Sequence, residues 1–338
     1  MTRISKFVAA LCGLLIGGNA VAATTTFKVA TIVPDGTYWM TRIRAAADEV
    51  ASRTEGRVQF KFYPGGVMGN DEAVLRKIRA GQLHGGMLTG GSLGAVYPDT
   101  QIYSLPLLFN SFAEVDYVRA RMDALILQGL EKNGFIGFGI GDGGFALVFA
   151  TDPVRSVDDM KGRKVWIPPN DPITRAMFEA AGLSPVMLPL SDVMTGLQSG
   201  MIDTMGSSPV GAVALQWYTK LKYATDTPLL YLYGIVVVDK RTFSRLNSAD
   251  QAVVREIMGK AMKDMDVKNR ADDRGARDAL RHEGLEFVAI SPQGLAQWKD
   301  VARKARENLA RSGAYSEAML KTLLGHLNDF RGKQKAAR

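Results

Sequence analysis

Few residues in this chain have chemistry to offer, and their spacing is the first thing to weigh. His84, His282 and His326 are the only histidines. None has a second ligand at helical spacing, so no metal site is expected. The glycine-rich run from Gly139 to Gly144 lacks a following helix, so it does not cradle phosphates. Asp158 and Asp159 sit directly before Lys161-Gly162 and read as a solvated turn. Cys12, the only cysteine, lies in the N-terminal apolar run. No catalytic set, metal or cofactor is expected, and the chain reads as a binding protein rather than an enzyme.

The elements around these residues say where the chain works. Arg3 and Lys6 precede an apolar run from Phe7 to Gly18, and Ala20-Val21-Ala22 follows it. This is the layout of a secretory leader over residues 1–22, so a periplasmic protein without thiols is expected. No other segment is long and apolar enough to span a bilayer. The net charge of +8 is carried largely by the leader and by the tail 331–338. The body is near neutral, which argues against nucleic acid as a partner, and the tail is expected to be a solvated end.

Hydrophobic periodicity lays out the scaffold. Strands are expected at Phe27–Val33, Val58–Phe62 and Gly86–Leu88, with helices between them at Thr37–Arg53 and from Asn70 to Ala80. That rhythm makes a mostly parallel sheet with helices on both faces. Strands follow at Phe135–Ile140 and Ala146–Ala150. A second α/β unit contains strand Lys164–Ile167, a helix opened by Asp171 and Pro172, and strands Val186–Leu188 and Ile202–Met205. Leu229–Val238 is a long apolar run suited to crossing back.

Ser248-x-x-Gln251 reads as a capping box for an unbroken helix to His282. Such a helix spans ~50 Å, enough to brace two domains. The fold class is therefore α/β, two domains around a hinged cleft with a long helix spanning both. One domain is expected to hold 23–147 with about 236–270, the other 148–235 with about 271–330. The crossings are expected at about 147–153 and 232–240.

Five segments then carry a resemblance: Phe62-Tyr-Pro-Gly-Gly66 with Met68-Gly69, Ile78-x-x-Gly81, Leu105-Pro-Leu-Leu-Phe109, Met160-Lys-Gly162 leading into Lys164–Ile167, and Leu197-Gln-Ser-Gly200 with Ile202-Asp203. In this order and spacing the chain resembles the substrate-binding proteins of tripartite ATP-independent periplasmic (TRAP) transporters, of the DctP type. The resemblance covers essentially the whole chain after the leader. It implies a receptor that hands a small organic solute to membrane permease subunits. The family clamps a carboxylate with an arginine in the strand after the Lys-Gly turn, matched here by Trp166. A second family arginine is matched by Ala146, and a frequent asparagine by Ser207.

The resemblance therefore implies a rebuilt ligand site. Trp166 on a cleft-facing strand would offer an aromatic plane to an apolar, aromatic or cationic group. Trp217 borders the cleft in the family. Asp171 is a candidate for a cation or hydroxyl, or serves as a helix cap alone. Arg163 and Arg175 are candidates for an anion contact from new positions. The competing classes are a receptor of similar fold serving an ATP-driven transporter or a sensor, and a secreted enzyme.

Overall fold

The structure is a computed structural model that describes residues 24–169 and 171–336; the leader at 1–22 lies outside the described residues. The chain opens with β1 (Thr25–Thr31), α1 (Tyr38–Arg53), β2 (Val58–Tyr63), α2 (Asp71–Arg79) and β3 (Gly85–Thr89). Local chemistry fixes the starts. The Thr37 and Asn70 side chains accept from the amides of Met40 and Ala73 and cap α1 and α2. A short α3 (Gly90–Leu93) and the 21-residue α4 (Phe112–Lys132) follow. α4 falls where no helix is expected from the sequence, although Val115, Val118, Met122, Ile126 and Leu130 on it are all buried.

β4 (Phe135–Ala150) is one continuous strand, not two. Its glycines are absorbed by bulges between Gly137 and Ile140 and between Asp142 and Gly144. The second half then contributes β5 (Val165–Ile167), α5 (Pro172–Ala180), β6 (Val186–Met187), α6 (Val193–Gln198), β7 (Thr204–Ser207), α7 (Pro209–Ala214) and β8 (Tyr223–Thr225). The return is made by β9 (Leu230–Asp239), α8 (Lys240–Phe243) and the 35-residue α9 (Ser248–His282). β10 (Glu286–Val288), α10 (Pro292–Arg311) and α11 (Glu317–Ala336) close the described chain.

The strands form one path in the order β2-β1-β3-β9-β4-β7-β5-β6, with β8 and β10 branching off β4. The first half pairs β1 parallel to both β2 and β3. The second half pairs β5 parallel to β6 and β7. β4 is shared: Phe135 to Ala146 pair antiparallel with β9, and Leu147 to Ala150 with β7. The strand changes partners between Ala146 and Leu147, and that is the first crossing.

The second crossing lies earlier than expected. The Asp226 amide still bonds to Val288 beside β10, while Leu229 bonds to Ala146 and β9 already belongs to the first half's sheet. The stretch 226–229 therefore crosses, rather than 232–240. The physical reason is that β9 pairs with β4 along its length and also with β3 over Gly234–Val238, which commits its apolar run to the first sheet.

α9 bridges both halves. Val254, Ile257, Met258, Ala261, Met262 and Met265 join the first half's apolar cluster with Phe27, Ile43 and Phe138. Leu280 joins a cluster of the second half with Leu147 and Phe149. Its cap is Asn247, whose side chain accepts from the Asp250 amide at 2.8 Å, and Gln251 turns to the Leu246 carbonyl. The capping box at Ser248 is thus replaced by a cap one residue earlier.

The C-terminus corrects two further expectations. α10 packs on α5 of the second half, but α11 returns to α4, and its Leu323 and Leu327 join the first half's core. The basic tail is tied down at its first residue, while 332–336 are exposed as expected. Arg331 holds Glu114 through Nε at 2.8 Å and Nη2 at 2.9 Å and donates to the Leu108 carbonyl at 3.0 Å. A bidentate pair over apolar packing outweighs the entropy of a free tail.

Candidate functional site

In open α/β sheets, ligands bind beyond the carboxyl ends of the parallel strands. Here those ends belong to β1 and β3 in one half and to β5 and β7 in the other. β7 pairs with both β4 and β5, matching Leu147 to Ser207 and Trp166 to Met205. That pairing brings Ala146, Trp166 and Ser207 onto three neighbouring strands.

Their side chains do not present the open aromatic plane that the resemblance implied. Trp166 is 5% exposed and lies in the second half's own apolar cluster with Val193, Leu197, Ile202 and Met205. Its indole N–H donates to the Leu188 carbonyl at 2.8 Å. Leu188 lies two residues beyond Val186, the register partner of Trp166. The ring therefore leans toward the carboxyl ends of the strands. Trp217, 4% exposed, meets it edge to face at a centroid distance of 5.7 Å. Both rings are consumed by packing, and neither presents an open face. Ala146 is buried, and its carbonyl accepts from the Leu229 amide at 3.0 Å. The buried Ser207 hydroxyl donates to the Ser208 carbonyl at 3.0 Å.

Asp171 is committed to α5. Its carboxylate accepts from the Thr174 amide at 2.9 Å and the Thr174 hydroxyl at 2.6 Å. Burial pushes this carboxyl up from its ordinary value, and the Thr174 bonds oppose the rise. Arg163 is excluded by topology. It precedes β5, at the amino end of the strand, and its guanidinium is spent on the carbonyls of Asp159 and Pro153 and on Asp152 at 3.3 Å. Arg175 differs. It is half-buried on α5, beyond the carboxyl end of β5. Nη2 approaches the Met187 sulfur at 2.7 Å, and it forms no ion pair with any described residue.

Several polar groups at these ends escape sequence reasoning because their partners are remote in the chain. Asp71 is buried at the end of β3. One carboxylate oxygen accepts from the amide and hydroxyl of Thr89 at 3.0 and 3.1 Å, and the other has no partner among the described residues. Burial pushes its carboxyl up.

At the hinge, the Trp39 indole donates to Asn269 at 2.6 Å, and the Asn269 amide donates to the Asp142 carbonyl. The Asp142 amide donates to Asp266 at 2.5 Å, and its carboxylate pairs with Arg270 at 3.0 Å. Buried Arg119 joins Asp266, Asp123, Tyr231 and the Ile140 carbonyl. The only local signal for this network is the Asp142-Gly-Gly run in β4. Gly144 has φ +84°, and a Cβ on it would lie 3.2 Å from Ser208 Cβ and 3.7 Å from Asp273 Oδ1. That close approach brings β4, the cap of α7 and α9 together at one point.

Among the described residues no group of histidine, cysteine, aspartate and glutamate is placed to hold a metal ion. None of their helices is long and apolar enough to cross a membrane. Two α/β halves joined by β4, by the crossing before β9 and by one long helix define a hinged solute-receptor class.

The comparison with known families agrees. The family model DctP, bacterial extracellular solute-binding protein family 7, matches residues 29–312, and the chain belongs to that family. Its members are solute-binding receptors that work with membrane permeases. The C4-dicarboxylate-binding periplasmic protein DctP of Rhodobacter capsulatus is 27% identical over 288 residues, covering 82% of this chain and 84% of the relative. A Bordetella pertussis extracytoplasmic solute receptor binding pyroglutamic acid superposes with a TM-score of 0.81 at 24% identity, over 90% of this chain and 100% of that one. A TRAP periplasmic solute-binding protein of Xanthobacter autotrophicus Py2, with bound β-D-galacturonate, gives 0.82 at 20% identity, over 89% and 99%.

Proposed function

We propose that this chain is the periplasmic receptor of a TRAP transporter for a small organic acid held at one anionic point. Arg175 carries the reading. It is a half-buried cation beyond the carboxyl end of β5 with no carboxylate of its own. A guanidinium in that state favours an incoming carboxylate. The relatives support the class, since a C4-dicarboxylate, pyroglutamic acid and galacturonate are the ligands named for them.

The wall beneath the ligand is apolar, built on Trp166 and Trp217. With Trp166 and Ala146 at the family's two arginine positions, the second half supplies no paired clamp. An acid with one carboxylate and an apolar body fits such a site better than a small diacid. Closure of the halves then traps the solute, because the ligand binds the closed state better than the open one. Release to the permease follows from reopening, and no bond is made or broken.

Native mass spectrometry of protein purified without denaturation, followed by titration calorimetry with the acid it retains, tests this. The retained solute is expected to carry a carboxylate, and Arg175→Gln is expected to weaken it roughly tenfold or more, at about 1.4 kcal/mol per decade. A retained solute without any acidic group, or an Arg175→Gln variant of undiminished affinity, overturns the reading.

A further inference from the structure

Two adjoining cavities open along α10, and none of Trp166, Arg175 or Ser207 lines either. One, of about 230 Å³, lies between the loop at Leu107–Asn110, the crossing at Thr227–Pro228 and α10. The other, of about 360 Å³, lies between α10 and α11. Leu107 and Arg306 belong to the walls of both, so the two chambers meet at these side chains. The larger chamber alone falls within the ~300–1,000 Å³ of small-molecule sites.

The lining is divided by chemistry. Leu295, Lys299, Ala302 and Arg306 stand at spacings of four, three and four on α10 and so share one face. Arg306 is half-buried, and Nη1 donates to the Pro106 carbonyl at 2.9 Å. Neither Arg306 nor Lys299 forms an ion pair with any described residue. The other charges nearby are taken: Glu307 by Arg303 at 2.8 Å, and Arg331 by Glu114. The far wall of the second chamber is apolar, with Leu320, Leu324 and Leu327 from α11.

We infer that the paired cavities bind a small amphipathic monoanion, a medium-chain alkyl carboxylate, with its head on Arg306 and Lys299 and its chain along α11. Two unpaired cations beside an apolar trough suit that one chemistry. A compact hydrophilic acid leaves the leucines wet, and a neutral lipid leaves both cations unmatched. The site is separate from the residues beyond β5 and β7, and it makes no use of Arg175.

Calorimetry on the whole mature protein with decanoate, and with decanol as the uncharged control, tests the inference. Decanoate is expected to bind more tightly than decanol. Lys299→Gln and Arg306→Gln are each expected to weaken decanoate roughly tenfold. Leu324→Glu, at a partly exposed position, is expected to abolish binding in these chambers, and a decanoate site is expected to remain in Arg175→Gln. Arg306→Gln also removes the bond to Pro106, so the exposed Lys299 and Leu324 variants keep the test independent of folding. The inference fails if the wild type takes up no decanoate, if decanol binds equally well, or if Lys299→Gln and Leu324→Glu bind like wild type. Loss of all decanoate binding in Arg175→Gln also overturns it, because the ligand then sits only in the inter-domain site.

Discussion

Trp166 and Trp217 meet edge to face, their ring centroids 5.7 Å apart and their planes at 62°. The contact joins β5 to the segment after α7, so it fastens two neighbouring pieces of the second half. A pair of this geometry contributes about 0.5–1.5 kcal/mol beyond the area it buries. Its first duty is to the fold. Trp166→Ala is therefore expected to destabilise the protein by about 3–5 kcal/mol, as large aromatic truncations in cores do. Urea unfolding followed by circular dichroism measures it. A loss under about 1 kcal/mol refutes the core assignment.

The hinge is tested at Gly144. Its φ of +84° is left-handed, and Ser208 Cβ stands 3.2 Å from where a Cβ would go. Gly144→Ala is expected to cost about 1–2 kcal/mol from backbone strain alone. Gly206, paired with Val148 on the adjacent strand, has no positive φ and open space around its Cβ position. Gly206→Ala is therefore the control, expected to stay within about 0.5 kcal/mol of wild type. Equal effects at the two positions in thermal melts contradict the close approach of β4, α7 and α9.

Local signals made much of this legible, and remote ones hid the rest. Period-two and period-3.6 runs located the first three strands and their helices, because burial of one face is written in consecutive residues. Asp171-Pro172 showed the start of α5 for the same reason. The glycines of β4 concealed a continuous strand, since bulges depend on the partner β9. Trp166 looked like a ligand plane because its family counterpart is charged. Its true partners, Leu188 and Trp217, lie 22 and 51 positions away. The Arg119–Asp266–Asp142–Arg270 network joins α4, α9 and β4, and no spacing rule links such positions.

The C-terminal helix should be structural, not a dispensable tail. Glu114 is buried and receives both bonds from Arg331. Burial alone would raise its carboxyl, but the bonds from Arg331 and the Asn110 amide outweigh it and hold it below 4.5. A depressed carboxyl contributes stability above its unfolded value and loses it as pH falls through the folded one. Arg331→Gln is expected to cost about 1–2 kcal/mol at pH 7, the lower part of the range for charged hydrogen bonds because the arginine is partly exposed. The gap to wild type should narrow below about pH 4.5. A gap that is absent at pH 7, or that widens on acidification, counts against the pairing.

Asp273 should show the opposite sign. It lies on α9 beside Gly144, with Oδ1 unpartnered among the described residues and Oδ2 at 3.5 Å from Arg277 Nε. Burial pushes its carboxyl above 3.8, and Arg277 only partly offsets the rise. The folded state therefore holds this proton more tightly than the unfolded chain. The stability that follows is present below pH 3.8 and is lost as pH rises through the folded value. Above its folded value the aspartate is an ionised, underpartnered group in a buried place. Asp273→Asn keeps the shape and removes the charge. Its stability relative to wild type should climb as pH is raised from about 4 to 7, although the weak contact with Arg277 is lost. Urea midpoints of both proteins at matched pH values read the difference directly. If that difference is flat with pH, or falls as pH rises, then the carboxylate is well solvated or well paired, and the buried hinge environment assigned to it is wrong.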